Sequence, residues 1–419
     1  MRILGISALH SDGAAALVVD GKIVAAALEE RFTRLARDKR FPHQAIDYCL
    51  TYAGIRLNDI DVVAFHERPL SKLGALIDTY SASAPRGFGA FRRALPAWFK
   101  MRSIPTEFWI ERLSIHQNDD FDADKLQPVG SSPCRAASAY FPSPYDEAAV
   151  LTLDGLGETD ASPGVSFAVG RGRSLQVIKD VPHPHSLGRL YAAVAGYIGL
   201  KSQWGGYELL QLAPSGRPIF ADAIREILID IKDDGSFRLD AALLHQEDVV
   251  PGELFDRLFG GTQRAADLAA SVQTVIEEVL VKLGRRLRHE TRVENLCLGS
   301  SPIDSLAKGR LLREDIFNHV WMTPAAYPSD VALGAALFAY LHRGGARPSL
   351  EGARDRMSGA YLGPEFTQAE IQDALTAAGA RFTVFEEEDM LDTTAQALCE
   401  GQRVGWFNGR RELGSRGLG

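Results

Sequence analysis

Short apolar runs alternate with helix-like spacing of apolar residues along the chain, and this order predicts an α/β protein. Near the start, "AAALVV" and "KIVAAAL" flank the turn signal Asp20-Gly21, which predicts two strands joined by a hairpin. In "FPHQAIDYCLTYAGI" the apolar residues recur at helical spacing, and Gly54 is a helix stop signal. "DIDVVAFH" then predicts a short buried strand.

The same order of elements returns later in the chain. "EAAVLTLDGLGE" predicts a buried strand, "VSFAVGRGRSLQVIKDV" a hairpin and "SLGRLYAAVAGYIGL" a helix. A long helix is predicted in "RAADLAASVQTVIEEVLVKLGRRLRH", a strand and turn in "VENLCLGSSPID", and a small-residue helix in "VALGAALFAYLHRGG". The repeat, near residues 1–65 and 148–205, predicts two similar α/β halves facing each other across a cleft. Ligands of such folds bind where the strands end.

Two segments depart from this pattern. Residues 70–128 are basic, aromatic and interrupted by prolines, which predicts peripheral helices that form a lid or a partner surface. We expect amphipathic helices that pack their aromatic residues inward, with binding of nucleic acid or an anionic surface as the alternative. Near residue 380 the pattern predicts a strand, a helix and a second strand, "RVGWF", followed by a loop rich in glycine and arginine. We therefore expect one domain over residues 1–375 and the start of a truncated second α/β domain over residues 380–419.

Composition restricts the classes of function. The formal net charge of −8 argues against a non-specific nucleic-acid binder, and no apolar run approaches the roughly 20 residues that span a membrane. The N-terminus lacks the pattern of a secretory signal peptide, and the four cysteines are far apart without metal or redox spacing. We expect a cytoplasmic protein with free thiols that binds neither nucleic acid nor membrane.

Seven blocks, in order, resemble the O-carbamoyltransferase family of the nodulation protein U and cephamycin carbamoyltransferase type. The first is the opening stretch from "LGISALHSDGAAALVVDGKIVAAALEERFTR" to "LTYAGI". The others are "RAASAYFPSPYDEAAVLTLDGLGE", "SLGRLYAAVAGYIGL", "LAPSGRP", "AKGRLLRE", "PAAYPSDVALGAAL" and "GRRELGSRGLG". The likeness runs along essentially the whole chain.

The resemblance implies an actin/hexokinase-like fold, also found in the tRNA threonylcarbamoyl transferase, followed by a smaller domain that makes carbamoyl-adenylate. The implied activity forms carbamoyl-adenylate from carbamoyl phosphate and ATP. The carbamoyl group then passes to a hydroxyl of a sugar or an antibiotic-like metabolite. A divalent metal is implied at the transfer site, since a metal polarises the carbonyl while a base takes the hydroxyl proton.

The resemblance also points to candidate site residues. We expect the catalytic residues to be His10, Asp12, Arg135 and Asp154. We expect the cofactor-binding residues to be Gly155, Gly157, Glu158, Gly299, Asp330, Arg410 and Arg416. Asp154 and Asp330 are the expected metal ligands, and the two arginines suit phosphate because the guanidinium fork matches phosphate oxygens.

Several positions differ from the pattern of the family. The family expects His-His-x-x-His before "AASA", where this chain has Ser131, Ser132 and Arg135. Hydroxyls are poor ligands for a transition metal, and a guanidinium repels one. The double-glycine phosphate turn reads Gly299-Ser300-Ser301-Pro302, and proline there removes an N–H donor. The substituted positions are those that would touch metal or phosphate.

Three hypotheses follow. The first is a carbamoyl or related acyl transferase with an altered, metal-free site in which Arg135 replaces the metal charge. The second is a catalytically inactive paralogue that binds a nucleotide or supports an active partner subunit. The third is another ATP-dependent enzyme on the same fold, such as a kinase. If the first hypothesis holds, we expect a protein partner to supply the activated carbamoyl group, because the second domain is truncated.

Overall fold

Two five-stranded mixed sheets with helices between and outside them form the structured body of the protein. The structure is a computed structural model, and it describes residues 1–9, 12–66, 81, 88, 92, 106–117, 120–153, 164–181, 185–200, 205–240, 252–260, 262–299, 302–324, 329–350 and 352–414. The strands Ala14–Val19 and Glu147–Leu153 are almost fully buried, as the continuous apolar runs of the sequence predict, whereas the edge strand Ser174–Val181 is largely exposed.

The first sheet has the strand order β3-β2-β1-β4-β5. Strands β1, β2 and β3 pair antiparallel, while β4 and β5 extend the sheet parallel to β1. The hairpin between β2 and β3 turns at Asp20 and Gly21, both at positive φ, which confirms the predicted turn. The strands are β1 Arg2–Ser7, β2 Ala14–Val19, β3 Lys22–Leu28, β4 Val62–His66 and β5 Leu126–Val129.

The second sheet repeats this arrangement. Its order is β12-β11-β6-β7-β8, with β6, β7 and β8 antiparallel and with β11 and β12 parallel to β6. The same order and the same strand directions in both sheets confirm the duplicated α/β halves of the actin/hexokinase-like type. The strands are β6 Glu147–Leu153, β7 Val165–Arg171, β8 Ser174–Val181, β11 Asn295–Leu298 and β12 His319–Met322, and a separate hairpin contains β9 Ile229–Ile231 and β10 Phe237–Leu239.

Thirteen α-helices lie in the described part of the chain. They are α1 Glu30–Thr33, α2 His43–Ala53, α3 Thr106–Ser114, α4 Ser131–Tyr140, α5 Leu187–Tyr197, α6 Gly205–Leu212, α7 Ala221–Ile227, α8 Gly252–Phe259, α9 Ala265–Thr291, α10 Pro302–Arg313, α11 Ser329–His342, α12 Gln368–Ala377 and α13 Glu387–Cys399. Helix α2 ends at Gly54, as predicted, and the long helix α9 buries one stripe of apolar residues.

The two central helices join the halves. Helix α4 follows the first sheet but packs on β6 and β8 of the second, and α11 follows the second sheet but packs on β1, β2 and β4 of the first. They also pack closely on each other, so a single apolar core runs from one sheet to the other. This exchange of helices makes the two halves one body, and both helices begin at the same side of it.

Two further cores cover the outer faces of the sheets. Helices α2 and α3 cover the first sheet with residues such as Ile46, Trp109 and Leu113. Helix α9 and its neighbours cover the second sheet with residues such as Leu190, Val275 and Ile276. In the segment 70–128, α3 confirms a helix, but residues 126–128 belong to strand β5 because they pair with β4, so the prediction of helices was wrong there. Most of residues 67–105 lie outside the described residues.

The two strands predicted near the C-terminus are wrong. Helix α13 is present, but residues 380–386 and 402–407 belong to no strand. A strand needs a neighbouring chain to take its backbone hydrogen bonds, and these residues are exposed along their length. The division into domains at residues 375 and 380 stays a prediction. Within the described ranges no helix combines the length and the apolar character that crossing a bilayer requires.

Candidate functional site

The candidate site lies where the parallel strands of both sheets end. The carboxyl ends of β4 and β5 are neighbours in the first sheet, and those of β6, β11 and β12 are neighbours in the second. Helix α4 starts directly after β5, and α11 starts after β12. Polar residues at these strand ends and in the first helical turns are therefore brought to one edge, which is where open α/β sheets bind ligands.

His66 and Ser131 form a short polar contact at this edge. His66 is the last residue of β4 and Ser131 is the first residue of α4. The ring Nε2 lies 2.6 Å from the serine Oγ, and both side chains are partly buried. The sequence analysis did not predict His66 as a site residue. Its position directly after the buried strand residues "VVAF" could have indicated one, because ligands of such folds bind where strands end. Ser131 is at the first of the three positions where the resemblance implies a histidine.

Ser132 lies at the second of those positions and faces the other sheet. Its hydroxyl donates a hydrogen bond of 3.0 Å to Oδ2 of Asp180 in β8. The side chain is buried, so this bond ties the first turn of α4 to the second half of the fold. Ser132 therefore has a packing role that Ser131 does not share.

Arg135 occupies the third position and is buried, with 5% of its surface exposed. Its Nη1 donates a hydrogen bond of 3.0 Å to the carbonyl oxygen of Leu153. Leu153 is the last residue of β6. Since Ser131 and Arg135 are four residues apart on α4, they share a helical face. The structure thus places a cation between the first turn of α4 and the end of β6, just before the predicted Asp154.

Asp330 lies in the first turn of α11 and is 2% exposed. A carboxylate at a helix N-terminus is favoured by the helix dipole. Gly299 directly follows β11, and its N–H donates to the carbonyl of Leu151 at 2.9 Å. A Cβ at Gly299 would lie 3.1 Å from the Thr152 side chain, so close approach of β6 favours glycine there. The roles of both residues in cofactor binding stay predictions.

Asp12 is buried near the end of β1, beside a charged loop. The Arg37 Nε lies 3.6 Å from Asp12 Oδ1, and the Arg37 backbone N–H donates to Glu30. Burial raises the pKa of the Asp12 carboxyl above its usual value, Arg37 partly offsets this shift, and the nearby Glu30 adds to it. A carboxyl with a raised pKa is a stronger base once it is ionised, which suits the role of a general base.

Arg410 lies at the outer edge of the first sheet. Its guanidinium donates to the carbonyl oxygens of Leu362, Val24 and Gly363 and to the Tyr48 hydroxyl, and it stacks over the Tyr52 ring at 4.1 Å. These contacts give Arg410 a structural role, and its predicted contact with phosphate stays a prediction.

Several predicted residues lie outside the described residues: His10, Asp154, Gly155, Gly157, Glu158 and Arg416. Up to Gly414 the chain lies beside β3 and α1, because Leu362 accepts a hydrogen bond from Ala26 and Arg31 donates to the carbonyl of Gly414. This path runs along the same strand that leads to Glu30 and the Asp12 loop.

The residues that match the metal ligands of the family do not fit a divalent cation. Two are hydroxyls already hydrogen-bonded to His66 and Asp180, and the third is the buried guanidinium of Arg135. Among the residues that the structure describes, no cluster of three His, Cys, Asp or Glu side chains could hold a metal ion.

A family model and a named relative both indicate the carbamoyltransferase family. The family model described as carbamoyltransferase N-terminus matches residues 2–337. An uncharacterized protein of Synechocystis sp. is 42% identical over 100% of this chain and 70% of its own length. Nodulation protein NolNO of Sinorhizobium fredii is 30% identical over 97% of this chain, which spans only 57% of that protein.

The solved structures resemble the chain only weakly. The (R)-2-hydroxyglutaryl-CoA dehydratase component A of Acidaminococcus fermentans matches 82% of this chain and 99% of its own. It is 14% identical with a TM-score of 0.40. A likeness of this size carries no argument about the chemistry of the site.

Proposed function

The chain belongs to the carbamoyltransferase family, and we propose that it transfers a carbamoyl group to a hydroxyl of a sugar or a secondary metabolite. The observation that carries this proposal is the match of the family model over both α/β halves. The proposed donor is carbamoyl-adenylate, made from carbamoyl phosphate and ATP.

The geometry of the cleft edge supports transfer of an acyl group. Arg135 provides a buried cation beside the strand ends, and such a cation stabilises the negative charge that develops on a carbonyl oxygen during transfer. Asp12 provides a buried carboxyl with a raised pKa, which suits removal of a proton from the acceptor hydroxyl. We assign these two roles to Arg135 and Asp12 as part of the proposal.

We propose that a further polypeptide segment or a partner chain covers the C-terminal part of the chain. Large apolar side chains are exposed there at a density that a solvated surface does not normally carry. They are Phe366, Phe382, Val384, Phe385, Met390, Leu391, Leu398, Val404, Trp406 and Phe407. The Synechocystis and Sinorhizobium relatives are both longer than the region that this chain matches.

The first experiment measures transfer with isotope-labelled carbamoyl phosphate, ATP and a panel of sugars, with the part of the Synechocystis relative beyond the matched region added as a separate chain. We expect labelled acceptor only when both chains are present. Replacing Trp406 and Phe407 by serine should abolish this complementation, while Leu312→Ser, at an exposed apolar residue of α10, should not.

Two results would decide against parts of the proposal. Carbamoyl-adenylate formation by the chain alone would overturn the need for a partner. Binding of ATP without transfer to any acceptor, in the presence of the second chain, would favour the inactive paralogue instead. Calorimetric titration with ATP and Mg²⁺ gives the binding measurement.

A further inference from the structure

His66 and Ser131 have the geometry of a nucleophile and its base. The contact of 2.6 Å between Nε2 and Oγ lies within the range in which an imidazole accepts a proton from a serine hydroxyl. His66 is the last residue of β4. Ser131 is the first residue of α4, which directly follows β5, the strand that pairs with β4. We propose that Ser131, activated by His66, accepts the carbamoyl group covalently before it passes to the acceptor.

The surroundings of the pair support this proposal. Ser131 opens a helix of ten residues, and the first N–H groups of a helix have no partner within the helix. Together with the positive end of the helix dipole, they favour a developing oxyanion at this point. Arg135, one turn further on the same face, adds a buried cation. These groups take over the role that a metal would have in polarising the carbonyl.

The chemistry balances in two steps. Ser131 Oγ attacks the carbonyl carbon of the donor, the carbon–oxygen bond to the leaving group breaks, and His66 takes the serine proton. In the second step Asp12 takes the proton of the acceptor hydroxyl, and the acceptor oxygen attacks the carbamoyl carbon. The bond to Ser131 then breaks, and the serine oxygen regains a proton from His66.

The contact also has a purely structural explanation, in which the bond only fixes the entry of α4. Ser132 has such a structural role, because its hydroxyl donates a hydrogen bond to Asp180 and so connects α4 with the other sheet. The difference is that Ser131 and His66 are partly exposed at the strand ends, whereas Ser132 is buried. An acyl-transfer role therefore needs a chemical test rather than a test of stability.

The test uses the full chain and an aryl carbamate with a chromogenic leaving group, so that it needs neither ATP nor a partner. We expect a burst of one leaving group per chain and a carbamoyl adduct on the peptide that contains Ser131. Ser131→Ala should abolish the adduct, Ser131→Cys should retain it on the new thiol, and His66→Ala should slow it about 100-fold. Added imidazole should restore part of the rate to His66→Ala, which a lost structural bond would not allow.

The matched control is Ser138→Ala on the same helix, whose hydroxyl donates to the carbonyl of Arg135 away from the strand ends. It should be labelled like the unaltered chain. Labelling at another residue, or no labelling, would overturn the covalent step.

This inference rests on the proposed function, and the two can fail separately. Carbamoyl transfer in the two-chain assay that survives Ser131→Ala would refute the covalent step and leave the function standing. Labelling of Ser131 without transfer to any acceptor would support the pair and count against the function.

Discussion

Gly334 of α11 lies directly against the carbonyl oxygen of Cys134 in α4. A Cβ at position 334 would stand 1.8 Å from that oxygen, so no side chain fits between the helices. The contact lies in the core shared by both sheets, and α4 carries Ser131, Ser132 and Arg135. The closeness of the two backbones therefore sets where the candidate site residues lie.

We expect Gly334→Ala to lower the free energy of unfolding by about 3 kcal/mol or more, because backbone rather than a flexible side chain blocks the added methyl. Thermal and denaturant unfolding measure the change. The matched control is Gly309→Ala in α10, where the nearest heavy atom is the Arg313 guanidinium at 3.6 Å. Alanine there should be neutral or stabilising by up to about 1 kcal/mol, since it favours a helix. Equal effects at both positions would contradict the packing argument.

A chain of two histidines and a carboxylate joins α2 to the end of α3. His43 Nδ1 lies 3.0 Å from His116 Nε2, and His116 Nδ1 lies 2.6 Å from Asp47 Oδ1. Burial and the neighbouring His116 lower the pKa of His43, so the unfolded chain binds more protons than the folded one just below about pH 6.5. The free energy of unfolding should therefore fall as pH drops through that value.

His43→Asn should reduce this loss, because the amide does not titrate and can still hydrogen-bond to His116. Denaturant unfolding at about pH 7.5 and about pH 5.5 gives the comparison. The exposed His319→Asn is the control and should follow the unaltered chain. If His43→Asn loses as much stability on acidification as the unaltered chain, another group is responsible.

Asp38 holds the loop beside Asp12. Hydrogen bonds from the Arg40 side chain hold the pKa of Asp38 well below its usual range, and the Asp38 carbonyl accepts from Gly13 at 2.6 Å. For a lowered carboxyl pKa, the stabilisation is present above about pH 4 and is lost as pH falls through the folded value. Asp38→Asn should lower the free energy of unfolding at neutral pH by about 1 kcal/mol, a modest value because solvent screens the largely exposed Arg40.

The acid side of the stability curve checks this prediction. As pH falls from about 4 toward the lowered folded pKa of Asp38, the difference between the unaltered chain and Asp38→Asn should shrink, because the aspartate then loses its charge. Exposed Asp373→Asn on α12 serves as the control and should leave the curve unchanged. A constant difference between Asp38→Asn and the unaltered chain at all pH values would refute the ion pair as its cause.

Arg410 fixes residues 409–414 to β3 through four acceptors and the Tyr52 ring. Arg410→Lys should release this segment, because one ammonium group cannot replace a planar fork that serves several carbonyls. Amide hydrogen exchange at Leu413, whose N–H donates to Ala360, should rise at least about tenfold, which corresponds to about 1.4 kcal/mol of local opening. The exposed Arg403→Lys should change nothing. Unchanged protection in Arg410→Lys would show that other contacts hold the segment.

Much of the fold was predictable from local pattern. The Asp20-Gly21 hairpin, the stop of α2 at Gly54 and the long helix α9 depend on turn chemistry and on the spacing of apolar residues, and all three are confirmed. The strand predicted at "RVGWF" failed because an apolar run reports burial but not the presence of a pairing partner. Local pattern therefore predicts elements well only where a neighbouring element completes them.

The sequence alone determined the family, the two similar halves and the residues Ser131, Ser132 and Arg135 at the positions where the resemblance implies histidines, since these follow from residue identity and order. Only the tertiary structure decided which residues contact Ser131, Ser132 and Arg135. His66 is 65 residues from Ser131 along the chain, and they meet because β4 and β5 are parallel neighbours that end at one edge. Strand pairing creates such contacts between distant residues, and no local pattern of a single sequence contains them.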